Sequence, residues 1–371
     1  MIDLSALVPM EIAARLPRLR ARLAEAECDA LLVTNLFNIA YLTGFTGSAG
    51  ILLVLADGVV LATDGRYGHQ SSEQLAAAGV EAAFVVGQLP DQREGLVAAA
   101  TGLARLGLES ASVTWARQVE FADKWFEGAE LVATTGVVEE LRRVKDVGEI
   151  DRMRVAAAVA DAALAEVRAS IVEGMTEAEL AMSLDFAIRR AGATGNSFET
   201  IVASGPNGAK PHARPSSRPI GRGELVVIDF GAVVDGYCSD MTRTVCIGPP
   251  ASSTLARMVE VVAESQRVGL AAVRAGRPAV EVDTACREVI AEAGWADAFS
   301  HSTGHGVGLD IHEAPTLSRT TGDTLATGHV VTVEPGVYLP GHGGVRIEDT
   351  VVVTDGGCEP LTMSPKELVL A

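Results

Sequence analysis

Apolar and polar positions along residues 225–246, LVVIDFGAVVDGYCSDMTRTVC, predict a β-hairpin. Val226, Val227, Ile228 and Phe230 form a β-branched and aromatic run, Asp235-Gly236 is a strong two-residue turn signal, and Tyr237 to Val245 returns. With that turn, Val234 faces Tyr237 and Gly231 faces Asp240. Asp229 shares the face of Gly231, so it is the diagonal neighbour of Asp240, and two carboxylates leave adjacent strands in one direction. Such a pair repels unless one acid takes up a proton or a divalent cation lies between them. On these residues alone, a solvated pair on the outer face of a hairpin is an equal reading.

Before the hairpin, Ile12, Leu16, Leu19 and Leu23 recur at helical spacing between Glu11 and Glu27, with Pro17 marking a kink or a late start. Strands are predicted at 30–34, 50–55 and 59–63, followed by a helix near 66–78, a strand near 81–86 and a helix near 91–104. A strand at 105–108, a helix at 114–127 and a strand at 131–134 complete the alternation, which predicts an α/β domain with a mixed sheet. TDGRYGHQ (63–70) carries Arg66, Tyr67 and His69, but a polar turn entering a helix reads first as a cap. From 137 to 168 the pattern is helical and no linker interrupts it, so the boundary falls around 136–145 and the domains are taken as 1–136 and 137–371. Thr176 with Glu179 is a capping box that opens a helix over 176–191, and further helices are predicted at 253–275 and 279–293. Helix pairs flanking hairpins make the second domain α+β.

Composition narrows the function. With 371 residues, 48% apolar and 21% charged, the chain is an ordinary soluble globular one with room for two domains. Its net charge of -18, without a long Lys/Arg run, predicts no nucleic-acid and no anionic-membrane partner. Cys28, Cys238, Cys246, Cys286 and Cys358 are scattered without a C-x-x-C, which predicts free thiols and a cytoplasmic location. No apolar run is long enough to cross a bilayer, and no signal peptide is predicted.

HSTGHGVGLDIHE (301–313) puts His301, His305 and His312 in one run whose glycines exclude a helix, and with it the two-histidine helical zinc motif. VVTVEPGVY (330–338) ends a buried strand on Glu334, and an unpaired buried carboxylate is costly. GGVRIEDTVVV (343–353) alternates so that Val345, Ile347 and Asp349 face one way, Arg346 and Glu348 the other; alone, Arg346 and Glu348 read as an ordinary ion pair. Together Asp229, Asp240, His305, Glu334 and Glu348 supply four carboxylates and one imidazole. That donor set is too oxygen-rich for a structural zinc and suits two harder divalent ions, Mn²⁺ first, with Co²⁺, Fe²⁺ or Zn²⁺ as alternatives.

The order and spacing of IDFGA, CSDMTRT, HSTGHGVGLDIHE, TVEPGVY and GGVRIEDT resemble the pita-bread metallopeptidases, specifically the Xaa-Pro group of prolidase and aminopeptidase P. NIAYLTGFTGSAG and TDGRY resemble the creatinase-type N-terminal domain, so the resemblance spans the chain. It implies a creatinase-type α/β N-terminal domain followed by a pita-bread catalytic domain. It also implies metal ligands at Asp229, Asp240, His305, Glu334 and Glu348, with Asp229 and Glu348 bridging. Catalytic or substrate-binding roles fall on His212 in KPHARPS, His301, His312, Arg346 and Tyr338.

The implied reaction is metal-assisted hydrolysis of the bond between an N-terminal residue and proline in short peptides, and the implied assembly is a homodimer. Glu334 is the implied proton carrier, His312 the implied oxyanion donor, and Arg346 the side chain that holds Glu348. Methionine aminopeptidase shares the ligands but not the large first domain or the VRIED arginine; creatinase lacks the ligands; a non-catalytic peptide-binding relative would have lost them. Within the Xaa-Pro group, a dipeptidase needs a fixed cation for the carboxylate on proline. Archaeal-type prolidases are expected to carry that Arg directly after H-E-x-P, whereas here HEAP is followed by Thr316 and the nearest Arg is Arg319. Aminopeptidase P-type cleavage of longer peptides is therefore the expectation, with Xaa-Pro dipeptidase activity as the alternative.

Overall fold

The structure is a computed structural model and describes residues 3–370. The chain divides into two compact units, one of Met10–Arg142 and the other of the segment up to Pro9 together with Arg143 onward. The segment before Pro9 is tied to the second unit by Val8, whose N–H donates to Asp151 (2.9 Å) and whose carbonyl accepts from Arg152 (2.8 Å).

Among the described residues, the Met10–Arg142 unit is built on a six-stranded sheet in the order Ala83–Val86, Val59–Thr63, Ile51–Val54, Ala30–Val33, Arg105–Glu109, Glu130–Thr134. Two of its pairings are antiparallel and three parallel, which is the mixed sheet that the alternating pattern predicts. Pro17 sits in the first turn of the helix Arg15–Leu23, where its missing N–H costs nothing, so the start is late rather than kinked. Two elements differ from expectation. Leu36–Thr43 is a helix, capped by the Asn35 side chain on Phe37 N–H and closed by Gly44 at φ 74°. The helix expected over 114–127 is α-helical only over Trp115–Glu120 and widens to a π turn at Phe121–Trp125.

In the second unit the expected helices form at Val147–Arg168, Glu177–Arg190, Ser253–Ala272 and Ala279–Glu292, the second of them opened by the Thr176–Glu179 capping box. The hairpin keeps one register throughout: Val234 pairs with Tyr237, Phe230 with Met241 and Asp229 with Thr242. Asp235 and Gly236 take φ of 48° and 84°, the left-handed pair that a tight hairpin turn requires. The ladder nevertheless divides between two sheets. Leu225–Phe230 and Met241–Ile247 belong to a four-stranded sheet, whereas Ala232–Val234 and Tyr237–Cys238 join Gly195–Asn196 in another. Gly231 stands at the division, and a Cβ there would run into the Ser239 carbonyl and the Ser197 hydroxyl.

Strand alternation decides what each face does. Val226, Ile228 and Phe230 turn toward Leu164, Leu180, Leu184 and Ile188 of the helices and are buried with them. Each such side chain contributes roughly 1.5–3 kcal/mol by leaving water. The opposite face carries Asp229 and its partner Thr242. GGVRIEDTVVV is not the single strand expected: Gly343–Arg346 pairs with Gly336–Leu339, and Asp349–Val353 pairs with Val330–Val333. Residues 347 and 348 cross between the two sheets, and the Glu348 N–H donates to the Thr242 carbonyl (3.1 Å), which sets Glu348 beside the hairpin.

Candidate metal centre

The crossing at 347–348 and the division of the hairpin at Gly231 open on one cavity of about 710 Å³. Asp229, Asp240, His305, Glu334 and Glu348 all line it, together with Arg346, His212, His301, His312 and Thr316. Tyr338 is buried and is not among the lining residues; it reaches the site through its hydrogen bonds.

His305, on strand Gly304–Gly306, donates from Nδ1 to the Gly306 carbonyl (3.0 Å). A carbonyl only accepts, so Nδ1 carries the hydrogen and Nε2 is presented inward, 3.3 Å from Glu334 Oε1 and 3.5 Å from Asp240 Oδ2. Ligand atoms of Asp240, His305 and Glu348 lie within 4.8 Å of one another. Glu334, just past strand Val330–Val333, is oriented by the Thr332 hydroxyl, which donates to Oε1 (3.1 Å) and accepts from the His305 N–H (3.1 Å). The His312 ring is exposed and lies 4.4 Å from that of His305, centroid to centroid.

Arg346 is placed differently from the expectation that it holds Glu348. Its Nη2 donates to Asp229 Oδ2 (2.5 Å), its Nε to the Thr242 hydroxyl (3.1 Å), and its Nη1 to Tyr338 OH (2.6 Å). Residues 346 and 348 lie on either side of a crossing between sheets, so proximity in sequence does not make them partners. Thr242 fills that place, donating its hydroxyl to Glu348 Oε2 (2.7 Å) while accepting from Arg346. Thr242 was missed in the sequence; its signal is its position two residues after Asp240 on the same strand face. Tyr338 passes its own hydrogen to His301 Nε2 (2.8 Å), because His301 Nδ1 donates to the Ser302 carbonyl (2.8 Å).

His212 is exposed on the loop that follows the short helix Gly205–Ala209. A second residue missed in the sequence, the buried Glu177, ties both ends of that loop. Its carboxylate accepts from the Ser204 N–H (2.7 Å) and the Ser216 N–H (3.1 Å).

The electrostatics fit a cation. Asp229 Oδ1 and Glu348 Oε1 are buried oxygens without a hydrogen-bond partner among the described residues. Burial, and then the charges of neighbouring carboxylates, push Asp240 and Glu348 well above the usual carboxylate range. Without a metal Glu334 goes the other way: against burial, the hydrogen bond and charge of a protonated His305 draw it down to about 2. Burial lowers His301 and His312 below the ordinary imidazole value. Unpartnered oxygens, mutually repelling carboxyls and an inward Nε2 make a donor set that a pair of hard divalent ions satisfies.

Residues 151–355 match metallopeptidase family M24, and residues 15–144 match the creatinase/prolidase N-terminal domain. The chain is similar to the Xaa-Pro dipeptidase from Bacillus anthracis, at 40% identity over 97% of this chain and 100% of that one, with a TM-score of 0.91. It is similar to the X-Pro aminopeptidase from Thermotoga maritima at 35% identity over 93% of this chain and 99% of that one, with a TM-score of 0.84. A Xaa-Pro dipeptidase of Pyrococcus horikoshii is 34% identical over 345 residues, 92% of this chain and 94% of that relative.

Proposed function

The chain belongs to metallopeptidase family M24, and from that premise we propose that it hydrolyses the bond between an N-terminal residue and proline, preferring Xaa-Pro-Yaa peptides to Xaa-Pro dipeptides. The observation that carries the chemistry is the pair of buried, unpartnered oxygens on Asp229 and Glu348. The observation that favours longer peptides is Thr316 lining the cavity after HEAP while Arg319 lies outside it. Dipeptidase activity is the second reading, favoured by the names of two of the relatives and by Arg214, which lines the cavity.

Asp229, Asp240, His305, Glu334 and Glu348 would hold two divalent ions, Mn²⁺ first among them. When bound, such ions supply positive charge that acidifies a water and polarises the scissile carbonyl. Glu334 accepts the proton of the attacking water and hands it to the departing proline nitrogen. The His312 ring donates to the oxygen that gains charge as the carbonyl carbon becomes tetrahedral. Arg346 fixes the orientation of Asp229, and Tyr338 donates to Nε2 of His301, whose tautomer the Ser302 carbonyl sets. His212 and His301 line the proline side. Proline's nitrogen has no hydrogen to donate, so enzymes that rely on that donor are poorly served by such a bond. The same reading carries a homodimer in the cytoplasm, with domains 1–136 and 137–371.

A Mn²⁺-supplemented assay of matched Xaa-Pro and Xaa-Pro-Yaa substrates tests it. Higher kcat/KM on the tripeptides is expected; clear preference for dipeptides would favour the second reading, and no hydrolysis of either would sink both.

A further inference from the structure

Beside the metal cavity lies a second, polar cavity of about 390 Å³. His301 and Ser302 line both, and the second is completed by Ser300, Ser318, Arg319 and Thr320. The strand Glu313–Leu317, at the edge of its sheet, runs from one to the other. Ala314 and Thr316 line the metal cavity, and Ser318, two residues on and just past the strand end, lines the second. Two residues of strand span roughly 6–7 Å, so the step from Thr316 to Ser318 is about that of one or two residues of an extended peptide.

Two guanidinium groups face this cavity and they differ in what they are free to do. Arg287 is spent: it pairs with Asp283 (2.6 Å) and donates to the carbonyls of Phe299 (3.0 Å) and His301 (2.5 Å). Arg319 is exposed and has no ion pair or side-chain hydrogen bond among the described residues. Around it stand three serines and a threonine, all able to donate, and no carboxylate but Asp297. A free cation among hydroxyl donors suits a carboxylate, and the Arg fork matches both of its oxygens.

We infer that this second cavity receives the residue after proline, with Arg319 binding the C-terminal carboxylate of an Xaa-Pro-Yaa tripeptide. The inference deepens the proposed function and rests on it. It makes Arg319 the residue that sets substrate length: a dipeptide ends one residue short of it, and a tripeptide reaches it.

The test compares a tripeptide acid with its C-terminal amide on the full-length, Mn²⁺-loaded enzyme, in wild type, Arg319→Gln and Arg214→Gln. Wild type should favour the acid by about twofold to fivefold in kcat/KM, chiefly through KM, as befits one exposed ion pair. In Arg319→Gln that preference should vanish, and in Arg214→Gln it should persist. Calorimetric binding of the leaving fragment, Pro-Yaa acid against Pro-Yaa amide, should show the same pattern without turnover. Equal handling of acid and amide by wild type, or a preference that survives in Arg319→Gln, overturns the inference. Loss of the preference in Arg214→Gln alone would move carboxylate recognition to the metal cavity and also overturn it. Hydrolysis of no Xaa-Pro peptide by wild type is a different result, which removes the proposed function and the inference with it.

Discussion

Each compact unit buries carboxylates, and Glu109 of the one and the metal-cavity acids of the other stand in opposite circumstances. In the Met10–Arg142 unit, Glu109 accepts from the Thr34 N–H (2.6 Å), the Asn35 N–H (2.8 Å) and the Asn38 side-chain amide (2.6 Å). Burial raises its pKa, and these bonds pull it back. In the other unit, Asp229 and Glu348 each keep an oxygen with no partner among the described residues, and Asp240 is crowded by their charges. A satisfied buried acid organises its own neighbourhood and needs nothing further. An unsatisfied one persists only if something outside the chain completes it.

The strongest way to break this contrast is Asp240→Asn. Hydrolysis should fall at least about a thousandfold, with metal content reduced, because one anionic donor is gone. The metal-free variant should melt no lower than the metal-free wild type, since a repelled charge has been removed. A large drop in Tm of the metal-free protein would mean that Asp240 is structural, as Glu109 is. Next comes Glu109→Ala, which strands two backbone N–H groups and one of the two Asn38 amide hydrogens, the other being held by Glu139; it should cost about 3 kcal/mol in urea unfolding of its own unit. Unchanged stability would erase the distinction from that side.

The smallest effect sharpens the comparison with a third kind of buried group. His329 is held down to about 4 from its ordinary 6.5 by burial and then by Arg143 and Lys145, with Asp323 opposing them. Its Nδ1 accepts from the Ala326 N–H (3.2 Å). The folded state therefore binds fewer protons than the unfolded one between those two values. Its contribution is complete above about 6.5 and is lost as pH falls toward about 4. In EDTA, wild type should lose about 2 kcal/mol more than His329→Asn between pH 7 and 4.5, as read from urea midpoints. Parallel pH profiles would show that His329 protonates without cost.

The hairpin was legible because turn chemistry and alternation are both local: Asp235-Gly236 fixed the register, and the register carried through to Asp229 and Thr242. The strands near 30, 51 and 59 were legible as short apolar runs closed by turn residues. Leu36–Thr43 was not, because eight mostly apolar residues show no helical face to distinguish them from a strand. The partner of Arg346 was hidden for another reason. Unbroken alternation through 343–353 conceals a crossing between sheets, so the sequence pairs Arg346 with Glu348 where the fold pairs it with Asp229. Thr242 and Glu177 act by hydrogen bonds across the fold, which leave no trace in periodicity.

The division of the hairpin at Gly231 gives the site a parity. Asp229 is held in register from outside by Ile201, and the far arm is held from outside by Val369 against Cys246. Residues added at the Asp235-Gly236 tip leave both outer pairings intact, so both carboxylates keep their sense. One residue added between Asp240 and Thr242 is an odd step: it shifts Asp240 against the outer pairing at Cys246, inverts that carboxylate and sends it to the apolar face. The hairpin thus tolerates growth at its tip and forbids it at its base.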